Sequence, residues 1–226
     1  MSGFYESYGR YKQYQTPSLS KKVIKRLDAE VWIPASCQAA HRFLELGCGT
    51  GQFLAYLAAK GATAIVGVDH DPELAQVIPE TAKAFFRQGD ILQLIEDQTL
   101  GLFDRIFLFD VLEHFSPDEG CTLLKAVRRR LAPGGKVVLK VPNAASPWGI
   151  QYQYGDLTHK TAYTPLSLRQ MAEATGFTLD EFYAPKGGSP RRRITEALLN
   201  GFLRWALSSP PDLFSANMYG ILSARG

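Results

Sequence analysis

The chain lacks most of what would mark a metal, disulfide or membrane-spanning protein. It carries only three cysteines, Cys37, Cys48 and Cys121, odd in number and widely spaced. No Cys-x-x-Cys pair or histidine-rich tract accompanies them, so neither a disulfide framework nor a metal site is indicated. No stretch of eighteen apolar residues occurs, and residues 1–10 lack the apolar centre of a signal peptide. A cytoplasmic location is therefore the expectation. The formal net charge is only +3, too small to argue for nucleic acid, and no such partner is expected. Internal repeats and low-complexity stretches are absent. What remains is a chain of 226 residues, enough for one domain with terminal additions.

From residue 41 short apolar runs alternate with helical patterns. Strands are expected at 43–46, 64–69, 85–88, 103–109, 136–141, 177–183 and 217–223. Helices are expected at 52–60, 72–78, 116–131 and 164–175. Ser116, Pro117 and Glu119 form a capping box with proline at the first helical position, and Pro133-Gly134-Gly135 stops that helix. This rhythm implies βαβ units with right-handed crossovers around a buried parallel sheet. Residues 1–40 read as an N-terminal helical extension to a domain at 41–226, which carries an insert at about 186–213.

The loop after the first strand reads Glu45-Leu46-Gly47-Cys48-Gly49-Thr50-Gly51 and opens a helix. Ligands bind an open α/β sheet outside the carboxyl ends of its strands. Glycines there let the backbone turn sharply and approach a ligand, and the helix N-terminus favours partial negative charge. Asp69 ends the second strand, where a carboxylate can accept hydrogen bonds from both hydroxyls of a ribose. The spacing is Gly-x-Gly-x-Gly. Gln52 stands where dinucleotide enzymes place a third glycine, which weighs against a nicotinamide-dependent oxidoreductase.

With Gly89-Asp90-Ile91, Asp110-Val111-Leu112-Glu113-His114 and Leu131-Ala132-Pro133-Gly134-Gly135 added, the sequence resembles the class I S-adenosylmethionine-dependent methyltransferases. The resemblance covers about residues 41–183. It implies a Rossmann-like three-layer α/β/α sandwich, with a seven-stranded, mostly parallel sheet whose last strand is antiparallel. It also implies S-adenosyl-L-methionine as cofactor. Gly47, Cys48, Gly49 and Gly51 would pass beside its methionine part, and Glu45, next to Leu46, would brace that loop. Asp69 would hold the ribose and His70 lie beside the adenine. Asp90 would accept the adenine amino group, with Ile91 against the ring. Asp110 and Val111 would line the reaction centre. The stretch 156–177 resembles methyltransferases acting on small molecules and on sugars, so a small-molecule or glycan hydroxyl is the expected acceptor. The positions Asp110 to Glu113 lack the Asn/Asp-Pro-Pro-aromatic signature of amino-group base methylation. A non-catalytic protein that binds the same cofactor is the remaining alternative.

An alcohol acceptor must lose a proton near the transition state, a task suited to histidine. Of four histidines, His41 precedes the first strand and His70 sits near the adenine. His114 and His159 remain as candidate bases. Asp156, three residues before His159, is expected to orient its imidazole.

Two segments stand outside the core pattern. Tyr5, Tyr8, Tyr11 and Tyr14 recur every three residues, a drifting aromatic stripe on a helix. They suggest a lid over the cofactor. Residues 191–207 start with three arginines and continue with an apolar face carrying Trp205. Peripheral contact with an anionic membrane competes there with packing on the domain or a homodimer contact; monomer and homodimer both stay open.

Overall fold

The computed structural model describes Gly3 and residues 8–226. Seven strands form one sheet: β1 Phe43–Leu46, β2 Ile65–Asp69, β3 Phe86–Gln88, β4 Phe103–Phe109, β5 Leu131–Pro142, β6 Phe177–Tyr183 and β7 Asn217–Ala224. Their order is β3-β2-β1-β4-β5-β7-β6. β1 pairs in parallel with both β2 and β4, and β7 runs antiparallel between β5 and β6. The sheet is thus mostly parallel and doubly wound, in the Rossmann-like manner expected.

Side chains alternate across it, as the two-residue period of a strand requires. Phe43, Ile65, Phe107, Val138 and Tyr219 enter one core. Leu44, Val68, Ile106, Leu108, Val137 and Leu139 enter the other. Both faces are covered, which is why the central strands are apolar without a polar side.

The helices are α1 Tyr8–Lys12, α2 Lys21–Leu27, α3 Gln52–Ala59, α4 Glu80–Lys83, α5 Ile91–Glu96, α6 Pro117–Arg129, α7 Pro147–Gln153, α8 Pro165–Ala174 and α9 Pro190–Ala206. The capping box on α6 is formed as read. Several boundaries differ from the sequence reading. Residues 72–76 make a 3-10 turn rather than an α-helix. α6 ends at Arg129, and Leu131 already pairs with Phe103 in the sheet. The sequence pattern missed α7, whose N-cap Ser146 is pinned by a bond from its hydroxyl to Phe214 O.

The N-terminal segment joins the core. Leu27, Val31, Ala35 and Cys37 are buried in the cluster that holds α3. Buried Glu30 accepts from Tyr219 Oη and from the Lys186 amide. The expected tyrosine stripe does not persist. Tyr5 lies outside the described residues, and Gln13 takes a left-handed backbone (φ 48°) that ends α1 before Tyr14.

Candidate active site

The strand order reverses between β1 and β4, the place where open α/β sheets leave a crevice. A cavity of about 290 Å³ lies there, at the carboxyl ends of the strands. Gly47 and Gly49 come to it from β1, Asp69 and His70 from β2, and Asp110 and Val111 from β4. Ile91, after β3, completes the wall.

The glycines are required by geometry. Gly47 has φ +73°, and a Cβ there would stand 2.4 Å from Val111 Cγ2. Gly49 has φ +49°, and a Cβ there would meet nothing within 4 Å. The backbone is therefore bare where the wall meets open space, a cradle for a ligand rather than a packing necessity. Asp69 holds this loop: its Oδ2 accepts from Gly49 N at 2.8 Å and its Oδ1 from Asp71 N at 3.2 Å. His70 Nδ1 lies 3.4 Å from Asp69 Oδ1.

Glu45, Leu46, Cys48, Gly51 and Asp90, also carried by the resemblance, are not among the residues that line this cavity, whereas Asp110 is. Glu45 is buried against the loop, its Oε2 has no hydrogen-bond partner among the described residues, and burial raises its pKa well above the usual range. The observed brace is Asp69. Leu46 and Cys48 are buried in the two cores and present only backbone to the loop. Asp90 is exposed and caps α5, accepting from Gln93 N at 3.0 Å. Asp110 has a left-handed backbone, φ 55°. That conformation is uncommon for a non-glycine residue and clusters at functional sites. Its carboxylate is held by Lys140 Nζ at 2.6 Å.

A second cleft of about 520 Å³ adjoins the first. Lys12, Asp110 and His114 line both, so the two spaces meet at Asp110 and His114. Glu113, Asp156 and His159 line the second. The fold brings them together through backbone bonds: the amides of Lys160 and Thr161 both donate to Glu113 O.

Here the structure corrects one expectation. No bond between the carboxylate of Asp156 and the ring of His159 is found. Asp156 Oδ1 accepts from the hydroxyl of Thr158 at 2.5 Å and from its amide, while Oδ2 pairs with Lys12. Because that hydroxyl donates to a carboxylate, its oxygen is left to accept from His114 Nδ1–H, 2.9 Å away. Asp156 thus orients His114, through Thr158. The short turn points the carboxylate back at its own backbone, as Asx turns do. His159 is fixed separately: its Nδ1 lies 3.0 Å from Gln153 O, a carbonyl that only accepts. Both rings therefore carry their proton on Nδ1 and their lone pair on Nε2. The rings are edge to face with centroids 4.6 Å apart. Burial lowers the pKa of both, that of His114 to about 4, so both are neutral near pH 7.

Sequence reasoning missed Lys12, Glu113 and Thr158 as site residues. Glu113 stood inside the quoted motif, yet nothing in the spacing shows that it is fully buried with both carboxylate oxygens unpartnered.

A family model described as a methyltransferase domain matches residues 13–181. An uncharacterized methyltransferase of Synechocystis is 30% identical over 157 residues, 66% of this chain and 72% of that one. The O-antigen chain terminator bifunctional methyltransferase/kinase of Escherichia coli is 36% identical over 47% of this chain, which spans only 16% of that protein's length. A crystal structure of an S-adenosylmethionine-dependent methyltransferase from Archaeoglobus fulgidus superposes with TM-score 0.65 at 21% identity, covering 96% of this chain and 98% of that one. The site fits this cofactor: an acid at the end of β2, a side-chain-free loop and an apolar wall of Ile91 and Val111 share one cavity. The oxidoreductase reading is set aside. The chain belongs to the methyltransferase-domain family and is an S-adenosylmethionine-dependent methyltransferase.

Proposed function

We propose that the chain methylates a hydroxyl of a small molecule or glycan, which enters the second cleft and meets the cofactor at Asp110 and His114. The observation that carries this reading is the junction of the two cavities at those residues. Within the first cavity, Asp69 is assigned to the ribose and Gly47 and Gly49 to the methionine part; Gly51 packs on Ile78 as the N-cap of α3 and shapes the loop from behind. The bound cofactor supplies an electrophilic methyl on a sulfonium, so the protein mainly has to position the reactants and take a proton. His159 is assigned to receive that proton on Nε2. Gln153 O holds the ring in the tautomer this requires. Asp156 and Thr158 set the tautomer of His114 beside it. Tyr11 and Tyr152 line the cleft and are 59% and 51% exposed. Their flat apolar faces suit the C–H face of a sugar ring.

The N-terminal segment is assigned as a lid. Lys12 and Tyr14 line the cofactor cavity, while Tyr11 Oη donates to Gly155 O at 3.0 Å. Deleting residues 1–20 is expected to weaken S-adenosylmethionine binding by about tenfold or more, the loss of one or two good contacts. Calorimetric titration reads this, and an unchanged dissociation constant would exclude the lid.

The insert adds a surface reading. Ile194, Leu198, Phe202 and Trp205 share one side of α9 and are exposed, Trp205 by 83%. The opposite side, with Asn200 and Leu203, is the half-buried one. An ordinary surface helix does the reverse. No helix among the described residues is long and apolar enough to cross a membrane. An apolar face that starts with Arg191, Arg192 and Arg193 suits an anionic lipid surface, and hence an acceptor carried on a lipid. The chain is expected to sediment with phosphatidylserine vesicles, and Phe202→Ser with Trp205→Ser to abolish this. Absence of sedimentation by the unaltered chain refutes the membrane reading.

A further inference from the structure

We propose that Glu113, His114 and His159 form a binding site for a divalent transition-metal ion at the floor of the acceptor cleft. One carboxylate oxygen of Glu113 and one nitrogen of each imidazole lie within 4.8 Å of one another. Neighbouring ligands about 2.1 Å from a shared ion stand about 3.0–3.6 Å apart, so closure asks for at most about 1–2 Å of combined side-chain movement.

The demand for a cation comes from Glu113. It is fully buried, and neither of its oxygens has a hydrogen-bond partner among the described residues. Buried polar groups are nearly always satisfied, and burial pushes this carboxyl up to about 8, so without a cation it is held as the neutral acid. The two lysines of the cleft are matched elsewhere: Lys140 pairs with Asp110 and Lys12 with Asp156. Glu113 has no ion pair of its own among the described residues.

The histidines are prepared in the way metal ligands are. A metal-binding imidazole commonly donates its second nitrogen to a carboxylate, a carbonyl or another fixed acceptor, which sets the tautomer. His159 does this with Gln153 O, and His114 with Thr158, itself anchored on Asp156. Two neutral imidazoles and one carboxylate favour Mn²⁺ to Zn²⁺ over Ca²⁺ and Mg²⁺, which prefer all-oxygen shells. The sequence did not reveal the site because its ligands come from the end of β4 and from the distant loop before α8.

This rests on the proposed assignment of the acceptor to this cleft and alters one part of it: His159 takes the proton only in the ion-free protein. With the ion bound, the lone pair of His159 goes to the metal. The cation then lowers the pKa of the acceptor hydroxyl, and the proton leaves to water instead of to the imidazole. The oxygen forms its bond to the methyl carbon, and the carbon–sulfur pair returns to sulfur.

The test is direct binding to chelator-treated protein. Mn²⁺ is titrated and its free ion followed by electron paramagnetic resonance, with Zn²⁺ and Ca²⁺ compared by calorimetry. One saturable site is expected for Mn²⁺ and Zn²⁺ and none for Ca²⁺. Glu113→Gln and His159→Ala are each expected to weaken Mn²⁺ by more than tenfold, and Thr158→Val by about 10- to 100-fold, as for removal of an outer-shell partner. Circular dichroism establishes that each variant is folded. Should Glu113→Gln fail to fold, His159→Ala, at a half-buried position, still reads the site. Absence of saturable Mn²⁺ binding, or equal affinity in wild type and His159→Ala, overturns the proposal. Either result leaves the methyl-transfer reading standing, because that reading is tested by turnover in chelator.

Discussion

Asp69→Ala is expected to lower affinity for S-adenosylmethionine by at least about 100-fold while the chain stays folded. Two kinds of interaction are lost together. Inside the protein, Asp69 holds the glycine loop through Gly49 N and the turn through Asp71 N. Charge-assisted hydrogen bonds of this sort contribute about 1.5–3 kcal/mol each. Toward the ligand, the same carboxylate is assigned to both ribose hydroxyls. Loss of about 3 kcal/mol corresponds to a factor above about 100. Asp69→Asn keeps one acceptor and is expected to lose less, about tenfold. The global fold survives because the sheet register at β2 rests on Val68 and its neighbours, not on this side chain. Calorimetry decides it, with a melting curve as control: affinity within twofold of wild type removes Asp69 from the cofactor site.

In the ion-free protein, kept so with chelator, His159→Ala is expected to reduce turnover by about 10²- to 10⁴-fold, the usual worth of a positioned proton acceptor, with cofactor affinity nearly unchanged. The residue lines the acceptor cleft and not the cofactor cavity. His159→Gln is expected to behave alike, since an amide cannot take the proton. The pH dependence follows from the direction of the shift. Burial lowers the pKa of His159 from its ordinary 6.5, and only the neutral ring has the lone pair. Activity is therefore expected to persist as pH falls through 6.5 and to be lost only below it. Stability follows the same sign. A histidine whose folded pKa is depressed costs stability as pH drops below its unfolded value, and His114, lowered to about 4, behaves likewise. An acid limb above pH 6.5, or unchanged turnover in both variants, would remove His159 from the chemistry.

The strands, the glycine loop and the acid at the end of β2 were legible because each is a local signal. Apolar runs of strand length, glycines with positive φ and capping residues depend on a few neighbouring residues. The 72–78 segment and the end of α6 were read less well. There a proline-led 3-10 turn and the pairing of Leu131 with Phe103 won over local helical pattern.

The acceptor side was legible only in part, and one reading failed. Asp156 and His159 are close in sequence, which suggested a direct dyad. The turn instead folds the carboxylate onto Thr158, and His114 arrives from the end of β4 to take the place expected for His159. Sequence proximity could not say which way a side chain turns. The same holds for α9, whose amphipathic pattern was plain but whose apolar side was expected against the domain or a second copy before a membrane, and is exposed.

By itself, then, the sequence determined the sheet, the cofactor class and the place of Gly47, Gly49, Asp69 and Asp110 at the carboxyl ends of the strands, since spacing and backbone chemistry carry that information. Only the tertiary structure decided that Glu113 is buried without a hydrogen-bond partner among the described residues, that His114 and His159 face each other, and that Lys12 and Tyr14 line the cavity. Those facts depend on contacts between segments far apart in the chain, where burial and desolvation are settled by packing rather than by local pattern.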